Sequence, residues 1–302
     1  MRKVLPFLLV VLCASPAVGG FSVFQTYTGD VGVSTDGCGS VATSNCTIQA
    51  QAPAGSSVIA AYLYSAYSNN LGVNDTGSLN GSPIPYSTNV SDTTGCCQLG
   101  SRRADVTSIV KPLVDNAGGA VITFNVHEDN TFFTDGEALV VVYSDPSRGA
   151  STVSILDGFS SRGGDSVNLS FATPLDPMAP GFMAQLLLGD SFSCCRSDNP
   201  PNQFSDISVD GSLMSGVAGN NDDCQDASPN FIGCLITVGS TISDPFTPVN
   251  PTYQADHERY SLVSEIHQGD NAINLALNNP SADDNLFLAV VNVSAGAVSP
   301  EP

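Results

Sequence analysis

Basic residues are scarce in this 302-residue sequence. The chain has nine lysines and arginines but 29 aspartates and glutamates, which gives a formal net charge of −20. Proteins that bind nucleic acid neutralise phosphates with clustered cations, and this chain has too few cations to form such a cluster. The charge balance therefore excludes nucleic acid as an expected partner.

Histidine is rarer still, with three residues, and the sequence motifs of common enzyme classes are missing. The sequence contains no H-E-x-x-H, G-x-S-x-G, P-loop or dinucleotide motif. The segment Gly189-Asp190-Ser191 resembles the first block of G-D-S-type esterases. Those enzymes take their base from a later D-x-x-H block, whereas His257 directly follows Asp256. We therefore predict that the protein is not an enzyme. A hydrolase that uses Ser191 or His127 is the least favoured alternative.

Tryptophan is absent, which removes the side chain that sugar-binding surfaces commonly use to stack pyranose rings. The local tyrosine cluster consists of Tyr62, Tyr64 and Tyr67. In a strand, Tyr62 and Tyr64 point to one face and Tyr67 to the other. We therefore expect at least one of these two sides to pack in the core, and glycan binding stays an alternative.

Beyond the first twenty residues, no apolar run is long enough to span a bilayer as a helix. The first residues themselves have the features of a signal peptide: Arg2 and Lys3, an apolar core at residues 4–13, and small residues before a cleavage site. We expect residues 1–20 to be removed on export. The mature protein is then predicted to be secreted, extracellular and associated with the cell surface, without a membrane span.

Eight cysteines follow the predicted leader, and their even number is typical of disulfides in an exported protein. Zinc is disfavoured because the vicinal cysteines have neither C-x-x-C spacing nor nearby histidines. The predicted disulfide cysteines are Cys38, Cys46, Cys96, Cys97, Cys194, Cys195, Cys224 and Cys234. Short spacing suggests the pairs Cys38–Cys46 and Cys224–Cys234, with the two vicinal pairs bonded to each other. Many other connectivities are open to eight cysteines.

Helical periodicity is scarce, whereas short apolar runs bounded by Gly, Asn, Asp, Ser and Pro are frequent, a pattern typical of strands and turns. One helix is predicted within residues 104–116, interrupted by Pro112. Strands are predicted at residues 21–28, 46–51, 57–67, 120–127, 137–144, 152–157, 167–172, 182–188, 232–238, 260–266, 272–277 and 286–293. We therefore predict an all-β, jelly-roll-like antiparallel β-sandwich, either one elaborated sandwich or two packed sandwiches, held by disulfides.

Turn residues are densest between positions 146 and 164, which favours a boundary there. The predicted organisation is a signal peptide at 1–20, one part of the sandwich at 21–160, a second part at 161–295, and a flexible tail at 296–302.

Aspartate dominates the acidic residues, since only five of the 29 are glutamates. Short carboxylates stabilise turns, and together with carbonyl groups they supply the oxygen ligands that calcium prefers. The densest clusters lie around residues 220–226 and 283–285, and neither has EF-hand spacing. They predict calcium as the one candidate cofactor, with the ligands Asp222, Asp223, Asp226, Asp283 and Asp284. The alternative is that both clusters are solvated loops.

Three motifs resemble an uncharacterised family of exported bacterial and archaeal surface proteins. They are A-D-V-T at residues 104–107, D-G-E-A-L-V-V-V-Y-S-D-P at residues 135–146, and D-G-F at residues 157–159. The run D-D-N-L-F-L-A at residues 283–289 is similar to a strand near the end of exported proteins that continue into a P-E-P sorting tail. The resemblance implies a surface protein and brings no catalytic residues.

These observations favour a non-enzymatic structural or adhesive protein of the cell surface. The expected partners are further copies of the chain or other surface proteins, and the apolar-alternating segment 21–28 is a candidate for filament or matrix assembly through strand edges. The alternative is a calcium-dependent module that binds glycans or another ligand.

Overall fold

The structure is a computed structural model that describes residues 20–69, 76–91, 98–160, 164–192, 203–225, 233–281 and 284–295. Within these ranges the chain forms nineteen strands and one α-helix. In chain order the elements are β1 (Ser22–Gly29), β2 (Val31–Gly39), β3 (Asn45–Ala50), β4 (Ser57–Tyr67), β5 (Gly77–Leu79), β6 (Ser82–Pro83), β7 (Thr88–Ser91), β8 (Gly100–Asp105), α1 (Thr107–Asp115), β9 (Ile122–Glu128), β10 (Thr134–Ser144), β11 (Ser151–Asp157), β12 (Asp165–Ser170), β13 (Ala184–Ser191), β14 (Ser205–Val209), β15 (Ser212–Ala218), β16 (Ile236–Val238), β17 (Arg259–Ser261), β18 (Ala272–Asn278) and β19 (Asn285–Val293).

The strands form four antiparallel sheets, which confirms the predicted all-β class. Sheet 1 has the order β3-β9-β5-β6, and sheet 2 has the order β2-β10-β4-β8-β7. Sheet 3 has the order β1-β11-β19-β13-β16, with β17 paired to another part of β13. Sheet 4 has the order β12-β18-β14-β15. Sheets 1 and 2 come from residues 31–144, whereas sheets 3 and 4 come from residues 151–293 together with β1.

Three apolar cores show that the sheets stack in numerical order. The first core lies between sheets 1 and 2, the second between sheets 2 and 3, and the third between sheets 3 and 4. Strand β10 shows how one strand serves two cores. Its residues Leu139 and Val141 belong to the first core, whereas Val140 and Val142 belong to the second. The fold is therefore two packed sandwiches whose inner sheets are covered on both faces.

Two disulfides lie in the described residues, Cys38–Cys46 and Cys224–Cys234. Both pairs agree with the prediction from short spacing. The two predicted vicinal pairs lie outside the described residues, as do residues 1–19 and 296–302. The domain boundary at residue 160 stays a prediction.

The helix differs from the prediction because Pro112 does not interrupt it. Helix α1 continues to Asp115 with Pro112 inside. A proline at this position removes one hydrogen bond, but Val110 and Val114 are buried in the first core and hold the helix against sheet 2. Tertiary packing therefore outweighs the local cost. None of the described helical segments is long and apolar enough to cross a membrane.

Candidate functional site

The two acidic clusters predicted from the sequence both approach strand β13. Asp222 and Asp223 follow β15, and Asp284 directly precedes β19. In sheet 3, Asp190 of β13 lies opposite Thr237 of β16 on one side and Leu286 of β19 on the other. This pairing brings the two loops to the same end of the sheet. The other two predicted ligands, Asp226 and Asp283, lie outside the described residues.

The outer part of this region is a partly exposed group of Asp222, Asp244 and His257. One ligand atom from each side chain lies within 4.8 Å of the other two. His257 Nδ1 is 2.7 Å from Asp222 Oδ2, and this contact raises the pKa of His257. Burial, followed by the charge of Asp222, raises the pKa of Asp244 to about 6. An imidazole beside two carboxylates is a ligand set that suits transition metals better than calcium.

Asp223 does not join this outer group, although the sequence prediction paired it with Asp222. Its Oδ2 accepts the backbone N–H of Val238 at 2.6 Å, so the carboxylate is turned toward β16. The sequence analysis missed Asp244 and His257 as neighbours of Asp222. Both lie in loops of irregular backbone, and no fixed spacing in the sequence signals their approach.

The inner part consists of three fully buried carboxyl groups, those of Asp190, Asp284 and Glu258. Asp284 Oδ2 accepts the Ser205 hydroxyl at 2.8 Å. Glu258 accepts the backbone N–H of Gly219 at 2.7 Å and the hydroxyl of Thr237 at 2.6 Å. Burial, followed by like charge nearby, raises the pKa of Asp190 and of Glu258 well above the usual range.

Asp190 has an unusual environment for a buried acid. Neither of its carboxyl oxygens has a hydrogen-bond partner of good geometry among the described residues, although the nearby backbone N–H of Ser191 acts to lower its pKa. The carboxyl group of Asp284 lies within hydrogen-bonding range, and the charge of Glu258 also acts on Asp190. Among the described residues, no lysine or arginine forms an ion pair with Asp190 or Glu258.

Thr237 connects the inner and outer parts. Its hydroxyl contacts both Asp222 Oδ1 and Glu258 Oε2. We refer to Asp190, Asp222, Asp244, His257, Glu258 and Asp284 as the acidic layer. The layer runs from the partly exposed Asp222 to the buried end of β13, where sheet 3 faces Ser205 of sheet 4. Its carboxyl and imidazole groups are of the types that cations take as ligands.

The residues of the esterase alternative are engaged elsewhere. Ser191 is fully buried, and its hydroxyl donates to the carbonyl of Asn285 at 3.4 Å. His257 contacts Asp222, as described above. His127 lies on the surface, with Nδ1 3.1 Å from Asn45 Oδ1 and Nε2 3.2 Å from Asp129 Oδ1. The described geometry thus contains no Ser191–histidine contact.

The tyrosine cluster packs in the protein interior. Tyr64 and Tyr67 are fully buried, and the Tyr64 hydroxyl donates to Asp157 at 3.2 Å. Tyr62 is partly buried against β1, where its hydroxyl is 2.7 Å from that of Tyr27. Tyr62 and Tyr64 pack between sheets 2 and 3, whereas the Tyr67 hydroxyl donates to Asn89 of β7 within sheet 2, so the three form no joint stacking surface for a sugar.

Strand β1 is the second feature with functional potential, because it is an edge strand. Within the described part of the chain it pairs only with β11, from Ser22 to Gly29, with an irregularity between Val23 and Gln25. The ring of Phe24 contacts Tyr62 edge to face, with 5.1 Å between ring centroids. The guanidinium group of Arg103 lies 3.3 Å above the Phe24 ring and pairs with Asp157 of β11.

A sharp change of direction joins β1 to the rest of the chain. Gly29 has a φ of +121°, a backbone conformation that favours glycine, and β2 begins at Val31. The chain thus passes from sheet 3 to sheet 2 through the single residue Asp30. The carbonyl of Asp30 accepts the N–H of Asp145 at 2.7 Å. This segment is a short connection between two sheets.

Comparisons with known proteins give little further information. No protein-family model matches the sequence, and no curated protein matches it. A structure of PNGF-II in space group C2 is 10% identical, with a TM-score of 0.27, over 85% of this chain and 60% of that chain. A second structure of PNGF-II, in space group P21, is 11% identical, with a TM-score of 0.28, over 85% of this chain and 61% of that chain. The chain therefore spans about three fifths of the length of these structures. TM-scores this low support no inference about function.

Proposed function

We propose that this protein is an exported, non-enzymatic structural or adhesive protein whose copies associate by exchanging strand β1. The observation that carries this proposal is the position of β1, an edge strand with one neighbour that is attached to the remaining fold through a one-residue connection. Edge strands pair readily with other chains. The sequence motifs shared with exported surface proteins support the same assignment.

The binding site for an exchanged strand already exists in each copy. Its elements are the hydrogen-bonding edge of β11 and the pocket in which Tyr62 and Arg103 contact Phe24. A β1 strand from a second copy makes the same contacts as the resident strand, because the two sequences are identical. A change in the backbone conformation at Gly29 and Asp30 allows β1 to leave its own sheet. If each copy donates its strand to the next, the product is a filament.

Mixed cysteine variants test this exchange. Thr26 lies opposite Ser154, with 3.2 Å between their hydroxyl oxygens. We expect a mixture of Thr26→Cys copies and Ser154→Cys copies to form a disulfide-linked dimer after unfolding, refolding together and mild oxidation. Non-reducing electrophoresis measures the dimer. The matched control mixes Thr26→Cys with Thr123→Cys, since Thr123 is exposed on β9 of sheet 1, and sheet 2 lies between that sheet and β1.

A tethered variant gives the converse result. With Thr26→Cys and Ser154→Cys in one chain, oxidation links β1 to its own β11, and electron microscopy should show dispersed monomers where the reduced protein assembles. Deleting residues 22–29 should also prevent assembly. Filaments that persist after the deletion, or a mixture that yields no more dimer than the control, would show that strand exchange is not the mechanism.

A calcium-dependent module that binds glycans or another ligand is the second candidate function. The convergence of Asp222 and Asp284 toward β13 favours it, because this arrangement concentrates oxygen ligands at one end of the fold. A glycan array probed with and without calcium distinguishes it from the first candidate. Binding that requires calcium would support it, and identical signals in both conditions would count against it.

A further inference from the structure

The isolation of Asp190 is the feature that points beyond the proposed function. A fully buried carboxylate without a hydrogen-bond donor is strongly unfavourable, because burial removes the water that stabilises its charge. Two arrangements relieve this cost next to a second carboxyl group. The two groups share a proton, or they bind a cation.

Several groups around Asp190 present oxygen atoms, and these groups come from different strands and loops. The carboxyl group of Asp284 lies within hydrogen-bonding range of Asp190, the charge of Glu258 acts on Asp190 from the loop before β17, and the hydroxyl of Ser205 in β14 donates to Asp284. Oxygen ligands without nitrogen or sulfur favour hard cations. Magnesium usually keeps several water molecules in its coordination shell, whereas Asp190, Asp284, Glu258 and Ser205 are all fully buried. Calcium accepts carboxylate, hydroxyl and carbonyl oxygens in flexible geometry and is the better match.

We propose that Asp190 and Asp284 bind a calcium ion at the buried end of the acidic layer. The ion provides the stabilisation that Asp190 lacks from well-placed hydrogen-bond donors, and it offsets the repulsion between the two carboxylates. It also connects β13 to the start of β19, and through Ser205 it connects sheet 3 to sheet 4. Calcium in this position stabilises the second sandwich and keeps the outer loop around Asp222 in place through Glu258 and Thr237. The proposal does not depend on strand exchange.

Calcium binding is tested on the full mature chain after treatment with a chelator. At pH 7, calcium chloride at about one hundred times its dissociation constant should raise the melting temperature by about 5 °C or more. Magnesium chloride at the same concentration is the ionic-strength control and should produce a much smaller shift. Titration calorimetry should show one strong calcium site per chain.

Three isosteric variants locate the site. Asp190→Asn should abolish the calcium-dependent shift, while circular dichroism confirms that the variant is folded. Asp206→Asn is the matched control, because Asp206 lies beside Ser205 in β14 but is not part of the acidic layer. This control should keep the full shift. Asp222→Asn should keep most of it, because Asp222 belongs to the outer group.

Three outcomes overturn the proposal. Wild-type protein that shows no melting shift and no heat with calcium leaves the shared proton as the explanation for the pair. A shift that survives in Asp190→Asn places the ion elsewhere. A shift that disappears in Asp222→Asn but not in Asp190→Asn places it in the outer group. If Asp190→Asn does not fold, Asp284→Asn provides the same comparison, and the wild-type titration decides by itself whether calcium binds.

Discussion

Replacing Arg102 with methionine should lower the free energy of unfolding by about 3–5 kcal/mol at pH 7. Arg102 lies in the interior with 1% of its surface exposed, and its Nη2 is 2.9 Å from Oε2 of the fully buried Glu128. The same nitrogen contacts the hydroxyls of Ser65 at 3.2 Å and Thr134 at 3.4 Å. Methionine preserves much of the volume but leaves Glu128 without its countercharge. Urea unfolding of the two proteins measures the difference.

Glu137 provides the matched control for this prediction. It is fully buried, and burial followed by the charge of Glu128 raises its pKa well above the usual range. A raised pKa favours the protonated, neutral form of Glu137, and the charges of Arg102 and Glu128 then balance each other in this cluster. Glu137→Gln should change the free energy of unfolding by less than about 1 kcal/mol. A similar loss in both variants would contradict this distribution of charge.

The free energy of unfolding should fall as the pH rises from 4 to 8, and Asp135→Asn should reduce this slope. Asp135 is fully buried, its Oδ2 accepts the N–H of Phe192 at 2.7 Å, and burial raises its pKa to about 8. Between the ordinary pKa of 3.8 and about 8, the folded chain keeps a proton that the unfolded chain releases. Because of this difference, the contribution of Asp135 to the free energy of unfolding falls by up to about 1.4 kcal/mol per pH unit as the pH rises. The fall levels off above pH 8.

Denaturant unfolding at pH 5, 6, 7 and 8 measures this slope in the wild-type and variant proteins. Asp145→Asn is the control, because hydrogen bonds from Ser147 lower the pKa of Asp145 and its titration is complete below this pH range. That variant should have the wild-type slope. Equal slopes for wild type and Asp135→Asn would show that Asp135 is already ionised in the folded protein.

Alternation and local spacing predicted the sheet content of the fold and two of its disulfides. The predicted strand 137–144 lies within β10, where each apolar residue belongs to one of two cores. Strand β2 was missed because its sequence, V-G-V-S-T-D-G-C-G, is typical of a loop. It is nevertheless buried along its whole length, since small residues permit close contact. A Cβ atom at Gly37 would collide with Val238 of β16, and one at Gly39 would collide with Gly233.

The candidate site was predictable only in part, because its members come together through long-range pairing. Residue chemistry singled out Asp222 and Asp284 as oxygen ligands. Asp190 was interpreted as part of an esterase-like motif, and its role as their common neighbour depends on the pairing of β13 with β16 and β19. Neither Asp244 nor His257 has a sequence spacing that predicts its approach to Asp222. Side-chain chemistry singled out acidic residues of two loops, whereas sheet topology determines which of them lie together.

The separation of β1 from β11 has a kinetic consequence. Thr26 and its partner Ser154 are 128 positions apart in the sequence. Because synthesis proceeds from the amino terminus, β1 is made well before its partner, and long-range pairing of this kind forms slowly. During that delay β1 of a nascent chain has no β11 of its own to pair with. Under the strand exchange proposed above, this delay favours capture of β1 by another chain whose β11 edge is open.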